Sequence, residues 1–242
     1  MNFHVVTLFP ETIEAYTSAS ILGRAQKEKK LSVKTYQLRD FVTNPGRAGK
    51  WFHKKVDERP YGGGPGMVIQ AEPVIRAVEK ILTNISKRSM SRSNLAKDKN
   101  HEVRPRVKVL ITAAGGKPLT NAYAKALAKQ KNVIIICGRY EGIDARAKKV
   151  LKAEEISVGP YILTGGEVPA LAIIDATARQ IPGVLGKFES LEESRVASHE
   201  IYTRPEVLKV KGKNYVVPKV LLSGHHAKMD QWKEKKRSNP NK

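Results

Sequence analysis

The chain has 242 residues, 40% of them apolar, enough for one large domain or one domain with a small appendage. No apolar run nears the about 20 residues of a membrane span, the N-terminus opens on a strand pattern rather than a leader, and the single cysteine excludes an internal disulfide and suits a reducing cytoplasm. Lys and Arg number 44 against 23 Asp and Glu, a net charge of +21 that serves solubility at the least and otherwise points to a polyanion. Nucleic acid comes before an anionic membrane, because no basic amphipathic helix with a bulky apolar face is present.

Phe3 to Phe9 is β-rich, Pro10 closes it, and Glu11 to Ser18 follows with a helical pattern, a β-then-α start that suits a parallel sheet. Ile21 to Ala25 leads into a basic turn at Lys27 to Lys30, and Ser32 to Leu38 alternates as a second strand. Arg39 and Asp40 read as a local surface ion pair. Asn44 to Lys55 is basic with Trp51, Phe52 and His53, which fits either RNA contact by charge and stacking or a solvated surface insertion. Asp57 to Gly66 holds four glycines and two prolines, which forbid regular structure but allow positive φ, without requiring it, and close backbone approach. The stretch is no phosphate loop of the Walker type, since no Lys-Ser/Thr follows.

Ala71 to Leu82 has helical periodicity. Residues 83–106 carry seven Lys or Arg, two acids and no apolar period, and are expected to form a basic flexible insertion. Val107 to Ile111 is a buried strand, Thr112 to Pro118 a glycine-bearing turn and Leu119 to Lys129 a helix. Val133 to Ile136 is β-branched throughout and only four residues long, as a buried parallel strand is. Gly138 follows at once. A second run, Ile156 to Val158 and Tyr161 to Leu163, is punctuated by Gly159 and Gly165-Gly166, and a helix over 166–180 follows with Asp175 and Arg179 on one face. Strand ends of this kind, bearing glycine, wall ligand sites in open α/β sheets. Beyond Gly186 come a polar connector over 187–201 and a small basic unit over 202–242 with one strand, Tyr215 to Val217, and one helix, about His225 to Arg237. Cys137 reads as a buried thiol rather than a nucleophile.

Six segments together identify a resemblance: Arg59 to Met67, Cys137-Gly-Arg-Tyr-Glu-Gly-Ile-Asp144, Tyr161-Ile-Leu-Thr-Gly-Gly-Glu-Val-Pro-Ala170, Ile181 to Gly186, Tyr202 to Val207 and Leu222 to His226. In this order, and spanning Phe3 to about Trp232, they closely resemble the bacterial tRNA (guanine-N1)-methyltransferases of the SPOUT class. The resemblance implies an α/β fold with a parallel sheet and a deep C-terminal trefoil knot over residues 1–186, plus a small, truncated, mainly helical C-terminal unit. It implies methyl transfer from S-adenosylmethionine to guanine N1 of tRNA, just 3′ of the anticodon (position 37), by a cytoplasmic homodimer with its active site at the subunit interface.

By position, the resemblance assigns cofactor contact to Gly138, Val158, Gly159, Pro160, Tyr161, Ile162, Leu163, Gly165 and Gly166, and to Ile111, Thr112 and Gly116 in the turn after the third strand. Two departures stand out: Pro160 replaces the family's usual Asp, and Thr112-Ala-Ala-Gly-Gly replaces a Ser-Pro-Gln-Gly type of turn. Arg179 maps onto the family's catalytic arginine. The family's aspartate base does not map cleanly, because the connector is shorter; Glu193 takes its place, with Glu192 second. Arg204, Lys233, Lys235, Lys236 and Arg237 are assigned to tRNA. Glu141 is the carboxylate open to a Mg²⁺ role, although no ligand cluster specifies a metal. The altered connector leaves one alternative: an RNA-binding relative that has lost its base.

Overall fold

Residues Asn132–Ile136 (β6) are all buried, and a strand buried on both faces must sit inside a sheet covered on both sides. It does. In the computed structural model, which describes residues 1–43, 54–93, 107–185 and 200–237, β6 lies at the centre of a five-stranded sheet. Its partners are Asn2–Thr7 (β1), Ser32–Gln37 (β2), Val107–Pro118 (β5) and Glu154–Ser157 (β7), in the order β2-β1-β6-β5-β7. Every pairing is parallel.

The period of two in β6 divides the core. Val133 and Ile135 face one cluster, with Phe3, Val5, Ile13, Ile173 and Ile174; Ile134 and Ile136 face the other, with Val6, Val74, Val78 and Ile81. Each such side chain contributes roughly 1.5–3 kcal/mol by leaving water. Helices Pro10–Thr17 (α1), Ser20–Lys27 (α2), Asn121–Leu127 (α4) and Glu167–Ala178 (α6) supply the first face; Ala71–Ser93 (α3) and Ala145–Leu151 (α5) supply the second.

Four elements differ from the sequence reading. Helix α3 runs on to Ser93, so the first part of the expected flexible insertion is helical: Ile81 and Ile85 are buried and carry the apolar stripe past Leu82. The remainder, 94–106, lies outside the described residues, as do the basic loop over 44–53 and the connector over 186–199. Second, β5 does not end at Ile111. Thr112 and Lys117 both register against Ile156, so the expected turn is an excursion of 113–116 within one strand. Third, Tyr161 to Leu163 forms no strand. Fourth, Asp40 pairs with Lys54 at 3.3 Å rather than with Arg39. The loop of four glycines is spanned by two short strands, Asp57–Glu58 (β3) and Val68–Ile69 (β4), and Gly62, Gly63, Gly64 and Gly66 all take positive φ, the conformation their residue type allows.

The chain divides into two compact units, Met1–Leu185 and Gly186–Lys242. In the second, a hairpin of Val207–Val210 (β8) and Lys213–Val216 (β9) precedes two helices, Lys219–Leu222 (α7) and His226–Arg237 (α8). The sequence reading has one strand there; the turn at Lys211 and Gly212, both at positive φ, makes it two.

Candidate active site

The excursion in β5 and the C-terminal ends of β6 and β7 surround a cavity of about 430 Å³, within the roughly 300–1,000 Å³ of small-molecule sites. Thr112, at the excursion in β5, ties that strand to the end of β6: its hydroxyl donates to the Ile136 carbonyl at 3.3 Å and accepts from the Gly138 N–H at 3.2 Å. Gly166 then closes on β6, with its N–H 2.8 Å from the Gly138 carbonyl. A Cβ on Gly166 would stand 2.7 Å from Cys137 Cα and from the Gly138 nitrogen, so no other residue fits between these segments. Cys137 is buried, and burial raises its thiol pKa, which leaves it a packing group.

Ten of the twelve residues expected at the cofactor lie in this wall: Ile111, Thr112, Gly138, Val158, Gly159, Tyr161, Ile162, Leu163, Gly165 and Gly166. Pro160 and Gly116 do not. Pro160 points to solvent at the tip of the loop. Gly116 sits behind the wall, where a Cβ would meet the Ile156 nitrogen at 2.5 Å; Ala113 and Ala114 line the cavity in its stead.

The structure also brings in residues that the sequence reading did not single out. Tyr140 lines the mouth with φ +57, a left-handed conformation that costs energy for a residue with a Cβ. Its phenol pKa is raised, by burial first and then by Asp57. Lys148 and Glu155 line another part of the wall and pair at 2.6 Å. Glu167, in the first turn of α6, is 2% exposed. It accepts from the Thr7 hydroxyl at 2.7 Å and from Arg139 Nε at 3.0 Å, and Arg139 in turn covers the Phe9 ring at 4.4 Å. The signal for Glu167 was present in Gly-Gly-Glu, an acid at a helix start; its partner, 28 residues away, leaves no local trace.

Arg179 caps the C-terminal end of α6 and is not in the cavity wall. A helix of 12 residues spans about 18 Å, so Arg179 stands roughly that far from Gly166. Asp175 shares its face but binds the Tyr16 hydroxyl at 2.7 Å instead. Glu192 and Glu193 lie outside the described residues. In the second unit Arg204 is exposed and Lys233 pairs with Asp230 at 3.1 Å; Lys235 lies on α8 with Lys236 and Arg237, whose side chains are not described. Among the described residues no group of three or more His, Cys, Asp or Glu side chains could hold a metal ion, and no described helix is long and apolar enough to cross a membrane.

A parallel α/β sheet with a hollow beside its strand ends, lined in part by glycines, has the architecture in which open α/β proteins bind their ligands. The chain belongs to the tRNA (Guanine-1)-methyltransferase TrmD family, which it matches over residues 1–242. It is 39% identical over 239 residues to the tRNA (guanine-N(1)-)-methyltransferase of Desulforamulus reducens, covering 97% of this chain and 83% of that one. It is 40% identical to the corresponding enzyme of Lachnospira eligens, covering 98% and 89%. The crystal structure of the tRNA (m1G37) methyltransferase from Aquifex aeolicus superposes with a TM-score of 0.72 at 36% identity, covering 99% of this chain and 91% of that one.

Proposed function

We propose that this protein methylates N1 of guanine in tRNA at the guanosine just 3′ of the anticodon, position 37, with S-adenosylmethionine as methyl donor. The observation that carries the reading is the cavity at the excursion in β5 and the ends of β6 and β7, lined in part by Gly138, Gly159, Gly165 and Gly166, in a chain of this family. The donor set suits an adenosine: backbone N–H and C=O groups can pair with the base edge, and Ile111, Val158 and Ile162 offer it apolar faces. When bound, the sulfonium supplies an electrophilic methyl group.

The remaining chemistry belongs to the chain. Guanine N1 carries a proton in the neutral base, so a carboxylate must take it and a cation must meet the charge that develops at O6. Arg179 is the cation and Glu193 of the connector, with Glu192 as second candidate, is the base. Glu141, in the cavity wall, is the carboxylate open to a Mg²⁺ role, and among the described residues no group of three or more His, Cys, Asp or Glu side chains accompanies it.

The position of Arg179 argues for a homodimer. It stands about a helix length from the cavity of its own subunit, and α6 is apolar on nearly every side yet leaves Val168 57% exposed. Beside it Tyr161, Ile162 and Leu163 are exposed as well. An apolar helix with an open face and an adjoining apolar rim matches a surface that a second copy covers, and such a copy would bring a second Arg179. The threading of the chain accords with a trefoil knot: after β7 at the sheet edge, 158–166 returns past β5 to bond at the end of β6. The basic second unit suits the tRNA backbone, and a tRNA substrate fits a cytoplasmic protein. The non-catalytic alternative draws no support from relatives that are themselves named as methyltransferases.

The test is transfer of labelled methyl from S-adenosylmethionine to a tRNA transcript with G37, with an A37 transcript as control. Label on N1 of G37 alone is expected. Folded dimer that leaves both transcripts unlabelled overturns the reading.

A further inference from the structure

Three chain segments meet at the mouth of the cavity: the end of β1, the end of β6 and the loop over 158–166 that leads into α6. One buried ion pair joins them. Glu167 Oε1 accepts from the Thr7 hydroxyl on β1 at 2.7 Å, and its Oε2 accepts from Arg139 Nε at 3.0 Å, with Arg139 Nη2 in ion-pair contact at 3.0 Å. Arg139 follows Gly138 at the end of β6, stacks on Phe9 just past β1 and donates to the Thr164 carbonyl at 3.4 Å. Its backbone also bridges to Gly165. The Glu167 side chain is 3% exposed and that of Arg139 25%.

Such a pair is a poor source of stability, because desolvating two charges consumes most of what their attraction returns, and an apolar pair of similar volume often does as well. What it supplies is direction. A charge-assisted guanidinium–carboxylate hydrogen bond, with the second carboxylate oxygen held by Thr7, fixes distance and angle as an apolar contact does not. Here the fixed quantity is the seat of the 158–166 loop, which the Gly166–Gly138 main-chain bond already brings against β6 and which forms one wall of the cavity. Glu167 makes no contact with the cavity itself, whereas Arg139 lines it with part of its surface.

We propose that the Arg139–Glu167 pair is a positioning device that sets the width of the cofactor cleft by bolting the 158–166 loop to β6 and β1. This rests on the reading of the cavity as the S-adenosylmethionine site. The pair acts on affinity for the nucleoside rather than on proton transfer, because its charges are used up on each other and on Thr7 and Thr164. A change at Glu167 therefore falls on the KM of the cofactor more than on kcat.

Titration calorimetry with S-adenosylhomocysteine tests it on the full-length protein, alongside thermal melts and steady-state kinetics. Glu167→Gln keeps the shape, leaves Arg139 without its counter-charge and is expected to weaken binding at least tenfold, with the cofactor KM rising by the same factor and kcat falling less than threefold. Since that variant can also melt early, the double variant Glu167→Met with Arg139→Leu removes both charges and keeps the volume. It is expected to melt within a few degrees of the wild type and still to bind at least tenfold more weakly. A double variant that binds within twofold of the wild type overturns the proposal and makes the pair a packing element. Wild-type protein that gives no heat with S-adenosylhomocysteine overturns the cofactor reading itself, and this proposal with it.

Discussion

His4 makes stability depend on pH between its unfolded value of 6.5 and its folded value of about 4. It sits on β1 at 5% exposure, with Nδ1 3.0 Å from the Tyr36 hydroxyl. Nε2 is buried with no hydrogen bond among the described residues. Its pKa is lowered from 6.5 to about 4, by burial first; Lys34 and Arg88 add to this, while the Asn132 amide opposes it. The folded value lies below the unfolded one. Above pH 6.5 both states carry a neutral ring and stability is complete. Below 6.5 the unfolded chain takes a proton that the folded chain refuses, and stability falls until the folded ring itself titrates near 4. At pH 5 the loss is RT times the logarithm of the ratio of the two binding polynomials, about 2 kcal/mol at most, or roughly 4–8 °C in Tm for a chain of this size. His4→Gln removes the titration. Melts of both proteins at pH 7.5 and pH 5 isolate the term, since the exposed His225 and His226 and the rising net charge are common to the two. The paired carboxylates of Asp144 and Glu154, whose pKa values are lowered by Arg146 and Lys108, lose their contribution only at lower pH. The wild type is expected to lose several degrees more than the variant between the two conditions. Equal losses would show that water or a local opening relieves the ring, and the argument from burial would fail.

Other perturbations separate the parts of the site. Arg179→Ala should lower kcat for methyl transfer by about 10²–10³, as loss of one preorganised donor does, while calorimetry finds S-adenosylhomocysteine bound within a fewfold of the wild-type affinity; equal losses in both would place Arg179 in the cofactor site instead. Gly166→Ala puts a methyl group 2.7 Å from Cys137 Cα. A cost of about 1–3 kcal/mol in melts and loss of the binding heat are expected, and unchanged binding would mean that the wall yields. Affinity for tRNA should fall linearly on a log–log plot against salt, and Lys233→Ala or Lys235→Ala should each flatten the slope by about one; slopes identical to the wild type would remove α8 from the RNA contact.

Elements with a strong private signal could be read without coordinates. Val133 to Ile136 could be nothing other than a covered strand, and four glycines between Tyr61 and Met67 left positive φ open. Helix α5 escaped because a single residue, Ala147, is buried along its seven, too little for a period. The end of α3 escaped because Lys87 and Arg88 hid the stripe that Ile81 and Ile85 continue. The apolar run from Tyr161 to Leu163 misled in a more instructive way. Apolar residues announce that something covers them, but not that the cover is their own sheet; here the run is a loop, and Ile162 is 89% exposed within the chain. Pairs distant in sequence, such as Arg139 with Glu167, follow from topology and have no spacing of their own to betray them.

That topology also separates binding from chemistry. The cavity needs close approach of three strands, which only small residues and main-chain hydrogen bonds allow, so its wall tolerates little: Gly166 is hemmed by Cys137 and Gly138, and Gly165 by the Arg139 guanidinium. The charge chemistry needs side chains with reach. Arg179 stands at the opposite end of α6, away from the strain of the glycine bends. A position free of the cavity wall can change without collapsing the cleft, and a carboxylate can move by a methylene in a connector more readily than a glycine can gain a methyl in the wall. The glutamate proposed in place of the family's usual aspartate is therefore a smaller departure than one alanine at Gly166 would be, since the first alters the reach of one group and the second drives a methyl group into Thr112 and the end of β6.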